Sequence, residues 1–261
     1  MHINGINLNV EVKGQGFPIV ILHGLTSNIS ALQKEINHLS EFYKTIAIDS
    51  RGHGRSDKPT TYTLQDHIDD VIGVLDAYEI SSTFLLGISM GSYIAQGVSI
   101  QHPHRVVKLV LITPKAYGAT SSAAHFLTQH DEEIKGKSPK EIQDFLLSNI
   151  FAPITEEEVK LAYLDFVQKQ AAAGLALTPE QTLAANLALE NFDFRSDLSR
   201  ITAETLVISG RYDPLNPPEV GQEIANSIPN SKFVVLEKSG HLPTYEEPQK
   251  LIKLVEDFLG E

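Results

Sequence analysis

The sequence predicts an α/β fold: a mostly parallel, doubly wound sheet of about eight strands with a helical insertion. Three observations predict it. Short continuous apolar runs, typical of strands buried on both faces, recur along the chain. Between most of them lie amphipathic patterns with helical spacing, which favour parallel strands joined by right-handed crossovers. Residues 114–195 show helix signals and no strand pattern, and they separate two parts of the core domain, 1–113 and 196–261.

The predicted elements begin with a hairpin. Apolar and polar residues alternate from Ile6 to Val12, which predicts a half-buried strand, and the Asn4-Gly5 pair before it is a hairpin signal with residues 1–3 as the partner. Buried strands are predicted at 18–22, 45–49, 84–88, 106–112, 205–210 and 232–236. Helices are predicted at 29–39, 64–75, 93–98, 219–228 and 251–259.

The insertion 114–195 carries three helix-start signals, at Ser138, Thr155 and Thr178. Each is followed three residues later by Glu or Gln, the capping-box pattern, and proline is the first helical residue in two of them. The insertion leaves the sheet at the edge where the strands end. We therefore predict a helical cap, or lid, over that edge; a helical excursion that only thickens the fold is the alternative.

The composition excludes several classes of protein. It is 42% hydrophobic and 21% charged, as in globular domains. The net charge of −12 and the lack of a Lys/Arg-rich run argue against a nucleic-acid partner. The lack of cysteine excludes disulfides, thiol catalysis and cysteine metal sites. No signal-peptide pattern is visible and no apolar stretch approaches the ~18–20 residues of a membrane span, so we expect a cytoplasmic protein without a membrane span.

The most informative motif is Gly87-Ile88-Ser89-Met90-Gly91, which follows an apolar strand pattern and precedes a helical one. Glycine on both sides of a serine is typical of a turn so tight that neighbouring Cβ atoms would collide. Such a turn lifts the serine oxygen above the sheet edge, at a helix N-terminus that favours developing negative charge. The sequence therefore predicts Ser89 as a nucleophile.

A serine hydroxyl needs a base to take its proton and a group to orient that base. Two loops at predicted strand ends offer them: Asp213 follows one strand, and His241 follows the last. Sheet topology would gather both near Ser89. The predicted catalytic residues are therefore Ser89, Asp213 and His241.

Other residues are weaker candidates for the same roles. Asp49, Asp193 and Asp197 are rival acids, and the latter two are the better rivals because they follow the serine in sequence. His23 is expected to brace a turn, and His53 to have a structural role. Two further histidines at a helix end make a poor metal site on their own and are expected to be solvated: His102 and His104.

These motifs resemble the α/β-hydrolase fold superfamily, in its lid-bearing serine esterase and lactonase type. The matching segments are 23–25, 49–56, 87–92, 210–213 and 240–241, which span most of the chain outside the insertion. The resemblance implies Ser89 as nucleophile, His241 as general base and then acid, and Asp213 as its orienter. It also implies an oxyanion hole formed by the amides of Leu25 and Met90. Two departures are a serine at 92, where glycine is frequent, and a leucine at 25, where an aromatic residue is often found.

The resemblance and the serine nucleophile favour a hydrolase that cleaves a carboxylic ester or lactone through an acyl-enzyme. The expected partner is a small-molecule substrate, and no metal or organic cofactor is implied. Alternatives are an enol-lactonase, a carbon–carbon bond hydrolase acting on a diketone, or, from another class, a ligand-sensing protein with slow turnover. The candidates for the substrate pocket, chosen by loop position, are Ile88, Tyr117, Phe126, Leu215 and Leu242.

Overall fold

A seven-stranded, mostly parallel sheet forms the centre of the protein. We describe it from a computed structural model, which covers residues 1–260. In chain order the strands are β1 (His2–Ile3), β2 (Ile6–Asn7), β3 (Val10–Lys13), β4 (Pro18–Leu22), β5 (Lys44–Ile48), β6 (Thr83–Ile88), β7 (Val106–Ile112), β8 (Tyr117–Gly118), β9 (Phe192–Asp193), β10 (Glu204–Gly210) and β11 (Ser231–Leu236). The helices are α1 (Gln33–Leu39), α2 (Leu64–Ala77), α3 (Met90–Gln101), α4 (Ser122–Gln129), α5 (Asp131–Ile134), α6 (Pro139–Asn149), α7 (Glu157–Ala172), α8 (Pro179–Leu187), α9 (Pro218–Ser227), α10 (Pro243–Glu246) and α11 (Pro248–Gly260).

The strand order in the central sheet is β11-β10-β7-β6-β4-β5-β3, and only β3 runs antiparallel to its neighbour. The strand order changes direction at β4: the chain passes from β4 to β5 on one side of it and then crosses to β6 on the other side. In such sheets a crevice opens at this point, outside the carboxyl ends of the strands, between the loops that follow β4 and β6. The registers Leu22↔Gly87 and Ile88↔Ile112 bring the ends of β4, β6 and β7 to one edge.

The alternation of side chains along the strands builds a core on both faces of the sheet. On one face, Val20 and Leu22 pack with α2, α3 and α9. On the other, Ile19 and Ile21 pack with α1 and α11. All four side chains are at most 1% exposed, as the continuous apolar run predicts. The doubly wound α/β architecture is thereby confirmed.

The central sheet has seven strands rather than about eight. The predicted hairpin is present, with His2 paired to Asn7, but the alternating stretch 6–12 does not form one strand. It is divided into β2 and β3 because the amides of the two residues between them do not bond to the central sheet: that of Leu8 continues the hairpin pairing, and that of Asn9 bonds to a loop. Leu8 N donates to Met1 O, and Asn9 N donates to the Ser56 hydroxyl. Only β3 therefore joins the central sheet.

Residues 114–195 contain five helices, α4 to α8, and the short strands β8 and β9, which the sequence did not predict. These strands pair antiparallel, Tyr117 with Asp193, and bring the two ends of the segment together. Capping boxes are present at Ser138 and Thr178 as predicted. The one predicted at Thr155 is wrong: α7 begins at Glu157 without a side-chain cap. No helix within residues 1–260 is long and apolar enough to span a bilayer.

Candidate active site

Ser89 lies in the tight turn that the sequence predicts between β6 and α3. Its backbone has φ 51° and ψ −117°, a conformation that non-glycine residues rarely adopt and that is often found at functional sites. The turn is held by the amide of Ser89, which donates to Ile112 O at 2.9 Å. The glycines permit close backbone approach. A Cβ on Gly87 would overlap the carbonyl oxygen of Gly91, and one on Gly91 would overlap that of Leu22.

Ser92, where the sequence departs from the family pattern, contributes to the same turn. Its hydroxyl donates to the carbonyl oxygen of Ser89 at 2.6 Å, and its amide donates to the same oxygen at 2.8 Å. Ser92 is fully buried, and the hydrogen bond of its hydroxyl compensates for the loss of contact with water.

The structure brings Ser89, His241 and Asp213 into one hydrogen-bonded chain. His241 Nε2 lies 3.0 Å from Ser89 Oγ, and His241 Nδ1 lies 2.8 Å from Asp213 Oδ2. Because a carboxylate only accepts, Nδ1 carries the proton of a neutral ring and Nε2 is left free to accept from the serine hydroxyl. Ser89 and His241 are 152 positions apart in the sequence, and Asp213 and His241 are 28 apart, yet all three meet at one sheet edge.

The carboxylate of Asp213 is fixed by its own loop. Its other oxygen, Oδ1, accepts from Leu215 N at 2.9 Å and from Asn216 N at 3.0 Å. These two bonds form an Asx-type turn, which leaves Oδ2 directed at the histidine. Asp213 is 3% exposed, so the charge is stabilised by hydrogen bonds rather than by water.

Asn216 is a site residue that the sequence reasoning missed. Its Nδ2 donates to Thr113 O at 2.6 Å and to Tyr93 Oη at 3.0 Å, and its Oδ1 accepts from Ser122 Oγ at 2.6 Å. Burial raises the pKa of Tyr93, which therefore stays protonated. This network joins the acid loop to α3 and α4. An asparagine three residues after an acid in a Pro-rich turn was the available signal.

The turn after β4 lies beside the serine, as expected for an oxyanion hole. A Cβ on Gly24 would be only 3.5 Å from Ser89 Cβ. His23 braces this turn: its Nδ1 donates to Gly24 O at 2.7 Å, and its Nε2 accepts from Ser50 N at 2.9 Å. Burial lowers the pKa of His23, which keeps the ring neutral in this role. Met90 is the first residue of α3, and the first amides of a helix have no partner within it.

The rival acids are occupied elsewhere. Asp49 accepts from the amides of Ile29 and Arg55, at 2.7 and 2.8 Å. Asp193 is exposed and bonded to Arg195, whose hydrogen bonds lower the pKa of its carboxyl to about 2. Asp197 pairs with Arg200 at the surface.

The remaining histidines also lie outside the hydrogen-bonded chain. His53 is fully buried, and its Nδ1 donates to Arg51 O at 2.9 Å. Burial lowers its pKa to about 3. His102 is the residue directly after α3, and His104 lies in the short 3-10 helix that follows.

The predicted pocket residues differ in their placement. Ile88 is buried at the end of β6, while Leu215 and Leu242 are half-buried and adjoin the loops of Asp213 and His241. Phe126 is buried in α4, with its ring centroid 4.2 Å from that of His130. Tyr117 is 41% exposed, and the Arg195 guanidinium lies 4.1 Å from its ring. It lines a cavity of about 330 Å³ that contains none of Ser89, Asp213 and His241, so this placement does not support it as a pocket residue.

The helical segment touches the loops around the serine at several points. In α8, Ala184 and Ala185 belong to an apolar cluster against which Leu25 packs. Gln170 of α7 accepts from Asn28 Nδ2 at 2.9 Å, just after the same turn. On the opposite side, Ile150 O accepts from His241 N at 2.7 Å. The segment therefore borders both the oxyanion turn and the histidine loop.

Comparison with known proteins identifies the family to which this fold belongs. The family model for the alpha/beta hydrolase fold matches residues 18–248. The chain is 29% identical to the 2-hydroxymuconate semialdehyde hydrolase of Pseudomonas sp. (strain CF600), over 98% of this chain and 92% of that one. It is also 29% identical to 3-oxoadipate enol-lactonase 1 of Acinetobacter baylyi, over 98% and 94%.

Among solved structures, Est816, described as an N-acyl homoserine lactone degrading enzyme, superposes with a TM-score of 0.85. It is 26% identical, and the match covers 98% of each chain. The resemblance found in the sequence motifs is thus confirmed over the whole length of the fold, and the protein belongs to the α/β hydrolase family.

Proposed function

We propose that this protein is a serine hydrolase that cleaves a carboxylic ester or lactone through an acyl-enzyme. The observation that carries the proposal is the chain of hydrogen bonds from Ser89 Oγ through His241 to Asp213, at 3.0 and 2.8 Å. These are the distances over which a base can take the proton of a nucleophile.

Each residue has a defined step in this reaction. His241 Nε2 takes the Ser89 proton as the oxygen attacks the carbonyl carbon, and the resulting imidazolium gives that proton to the leaving alkoxide. The ester bond breaks and an acyl-serine forms. Water then gives a proton to the same nitrogen and attacks the acyl carbon. The bond between the acyl carbon and Ser89 Oγ breaks, the imidazolium returns its proton to Ser89 Oγ, and the acid is released. Asp213 Oδ2 accepts from His241 Nδ1 and stabilises the imidazolium throughout.

The oxyanion of both tetrahedral intermediates is proposed to lie against the amides of Leu25 and Met90. Gly24 and the first turn of α3 flank the serine, which supports this assignment. A preorganised donor of this kind contributes about 3–4 kcal/mol to the stabilisation of such a transition state. His23 keeps the turn in place by bonding the carbonyl oxygen next to the Leu25 amide.

Residues 114–195 are proposed to act as a lid. The contacts of α8 with Leu25, of Gln170 with Asn28 and of Ile150 with His241 support it. A lid of this kind excludes water from the acylation step and supplies part of the acyl pocket. Ile88, Phe126, Leu215 and Leu242 are the proposed pocket residues, and their apolar character favours an uncharged acyl group.

Carbon–carbon bond hydrolysis is the second candidate function. It is favoured by the 29% identity with a 2-hydroxymuconate semialdehyde hydrolase over nearly the whole chain. The lactone assignment is favoured by the similarity to an enol-lactonase and by the TM-score of 0.85 with a lactone-degrading enzyme. The same serine, histidine and acid can serve either reaction, so substrate turnover decides between them.

The test is a substrate panel run on the wild type, Ser89→Ala and Ser196→Ala, an exposed serine that serves as the control. The panel holds short and long acyl esters, lactones and a vinylogous diketone. We expect turnover of an ester or lactone, labelling of Ser89 by a fluorophosphonate, and loss of both only in Ser89→Ala. Retained hydrolysis in Ser89→Ala refutes the proposal. Preference for the diketone favours the second candidate, and one slow turnover per chain indicates a ligand sensor.

A further inference from the structure

We propose that Glu246 is a positioning residue whose carboxylate fixes the backbone on both sides of His241 and ties that loop to the helical segment. This inference rests on the proposed function, because it assigns Glu246 a role only if His241 is the base. From the sequence alone, Glu246 reads as a surface or helix-terminal charge.

One carboxylate oxygen holds the histidine loop. Glu246 Oε2 accepts from Gly240 N at 2.8 Å and from Leu242 N at 3.2 Å. These are the residues immediately before and after His241. The amide between them, that of His241 itself, donates to Ile150 O at 2.7 Å. Three consecutive amides around the base are therefore held by acceptors outside their own loop.

The other oxygen holds the helical segment. Glu246 Oε1 accepts from Ala152 N at 2.7 Å and from Thr155 Oγ1 at 2.6 Å. These residues belong to the turn before α7, which also contains the carbonyl of Ile150. The same turn is packed tightly on the loop, since a Cβ on Gly240 would overlap the Ile150 carbonyl oxygen. One carboxylate thus joins the histidine loop to the segment proposed as the lid.

The bonding pattern requires a carboxylate. All four partners of Glu246 donate, and a carboxylate has acceptor sites for four donors and no donor of its own. A carboxamide would turn two N–H groups toward two of these donors. The four donors are three backbone amides and one hydroxyl, so the hydrogen bonds of Glu246 at this junction are made to neutral groups.

A small displacement of the loop would affect both bonds of the base. The ring of His241 must keep Nδ1 within reach of Asp213 and Nε2 within reach of Ser89, at 2.8 and 3.0 Å. A shift of about 1 Å in such a constellation can lower the rate by about 10²-fold. Because the loss arises in the proton-transfer step, it lowers kcat and leaves substrate binding almost unchanged.

Glu246→Gln tests the proposal, with Glu247→Gln as the matched control. Glu247 accepts from Lys238 N and Ser239 Oγ, both at 2.9 Å, and these residues are not the immediate neighbours of His241 in the chain. For a short ester such as p-nitrophenyl acetate, we expect Glu246→Gln to lower kcat by about 10- to 100-fold and to change KM by less than about threefold. Fluorophosphonate labelling of Ser89 should slow in parallel, and Glu247→Gln should retain the wild-type kcat within about twofold.

Amide hydrogen exchange supplies a readout that does not depend on activity. In Glu246→Gln the amides of Gly240 and Leu242 should exchange faster than in the wild type, and in Glu247→Gln they should not. Unchanged kcat with unchanged exchange overturns the proposal, as does a loss confined to KM. If the wild type neither turns over esters nor labels at Ser89, the proposed function has failed, and the positioning role fails with it whatever the exchange shows.

Thr155→Val tests the same link from the helical segment, and it can be used if Glu246→Gln does not fold. It preserves shape and removes only the hydroxyl that donates to Oε1. We expect a two- to threefold lower kcat, on the order of one weakened hydrogen bond, and faster exchange of the Ala152 amide. Wild-type kcat together with wild-type exchange in this variant would refute the link between the helical segment and the base.

Discussion

Asp213→Asn is the substitution that most directly tests the proposed proton path. Oδ1 of an asparagine can still accept from Leu215 N and Asn216 N, so the turn keeps two of its three hydrogen bonds. The third position, facing His241 Nδ1, would hold an amide N–H instead of an oxygen. Two donors cannot face each other, so the imidazole adopts the other tautomer. His241 Nε2 then carries a proton and cannot accept one from Ser89.

The expected loss is large in rate and small in stability. Tautomer reversal at a serine–histidine–acid site lowers kcat on the order of 10⁴-fold. At 1.36 kcal/mol per factor of ten, that is about 5 kcal/mol of activation free energy. The free energy of unfolding should fall by only about 1–3 kcal/mol, because one charge-assisted bond is lost and two backbone bonds remain.

The assay measures ester turnover and the rate of fluorophosphonate labelling, with thermal unfolding as the check on folding. Asp193→Asn is the control: this acid was one of the two better rivals in the sequence and is bonded to Arg195 at the surface. It should keep kcat within about twofold. An Asp213→Asn protein that is folded and retains more than about one tenth of the wild-type kcat would refute the assigned role of Asp213, as would an equal loss in Asp193→Asn.

Three further predictions concern stability, and urea unfolding measures each. Gly91→Ala places a Cβ against the Leu22 carbonyl and should destabilise by about 3 kcal/mol, whereas Gly260→Ala, which meets nothing, should not; equal values would contradict the steric argument. Arg51→Leu leaves the buried carboxylate of Asp70 without its bidentate partner, so we expect a loss of about 3–5 kcal/mol that added Asp70→Asn partly restores. Burial lowers the pKa of His53 to about 3, below about 6.5 for the unfolded chain, so stability falls as pH falls below that value. His53→Gln should remove about 1.3 kcal/mol of the loss between pH 7 and 5.5, and an unchanged pH slope would show that His53 is not buried neutral.

The strands could be predicted from the sequence because burial on both faces leaves a local signal. β4 and β7 begin and end where their apolar runs do, at 18–22 and 106–112. The carboxyl ends of parallel strands meet at one edge of a sheet, so a residue placed just after a strand could be assigned to that edge. That is why Asp213 and His241, each in a loop after a strand, could be predicted from the sequence to lie near Ser89.

What could not be predicted depends on partners distant in sequence. Thr155 has the capping-box spacing, yet its hydroxyl donates to Glu246, 91 residues away, and α7 starts without it. The stretch 6–12 alternates as a strand should, but the amide of Asn9 donates to the Ser56 hydroxyl, 47 residues away, and interrupts it. Tyr117 was expected in a loop that lines the pocket, but it lies in β8, paired with Asp193, and its exposed ring contacts the Arg195 guanidinium. In each case a tertiary contact competes successfully with a local preference.

The proposed chemistry of this protein and its substrate specificity depend on different parts of the structure. Ser89 and Asp213 are held by backbone carbonyls and amides at strand ends, and the loop of His241 is held by Ile150 O and the Glu246 carboxylate, so their geometry depends on contacts close to this edge of the sheet. The proposed pocket residues come from two parts of the structure. Ile88, Leu215 and Leu242 adjoin the loops of the three site residues, whereas Phe126 belongs to α4 in the helical segment. Substitutions in the core part of the pocket therefore risk displacing the catalytic groups. A change of acyl preference at constant kcat is expected to come from α4 and its neighbours in the helical segment.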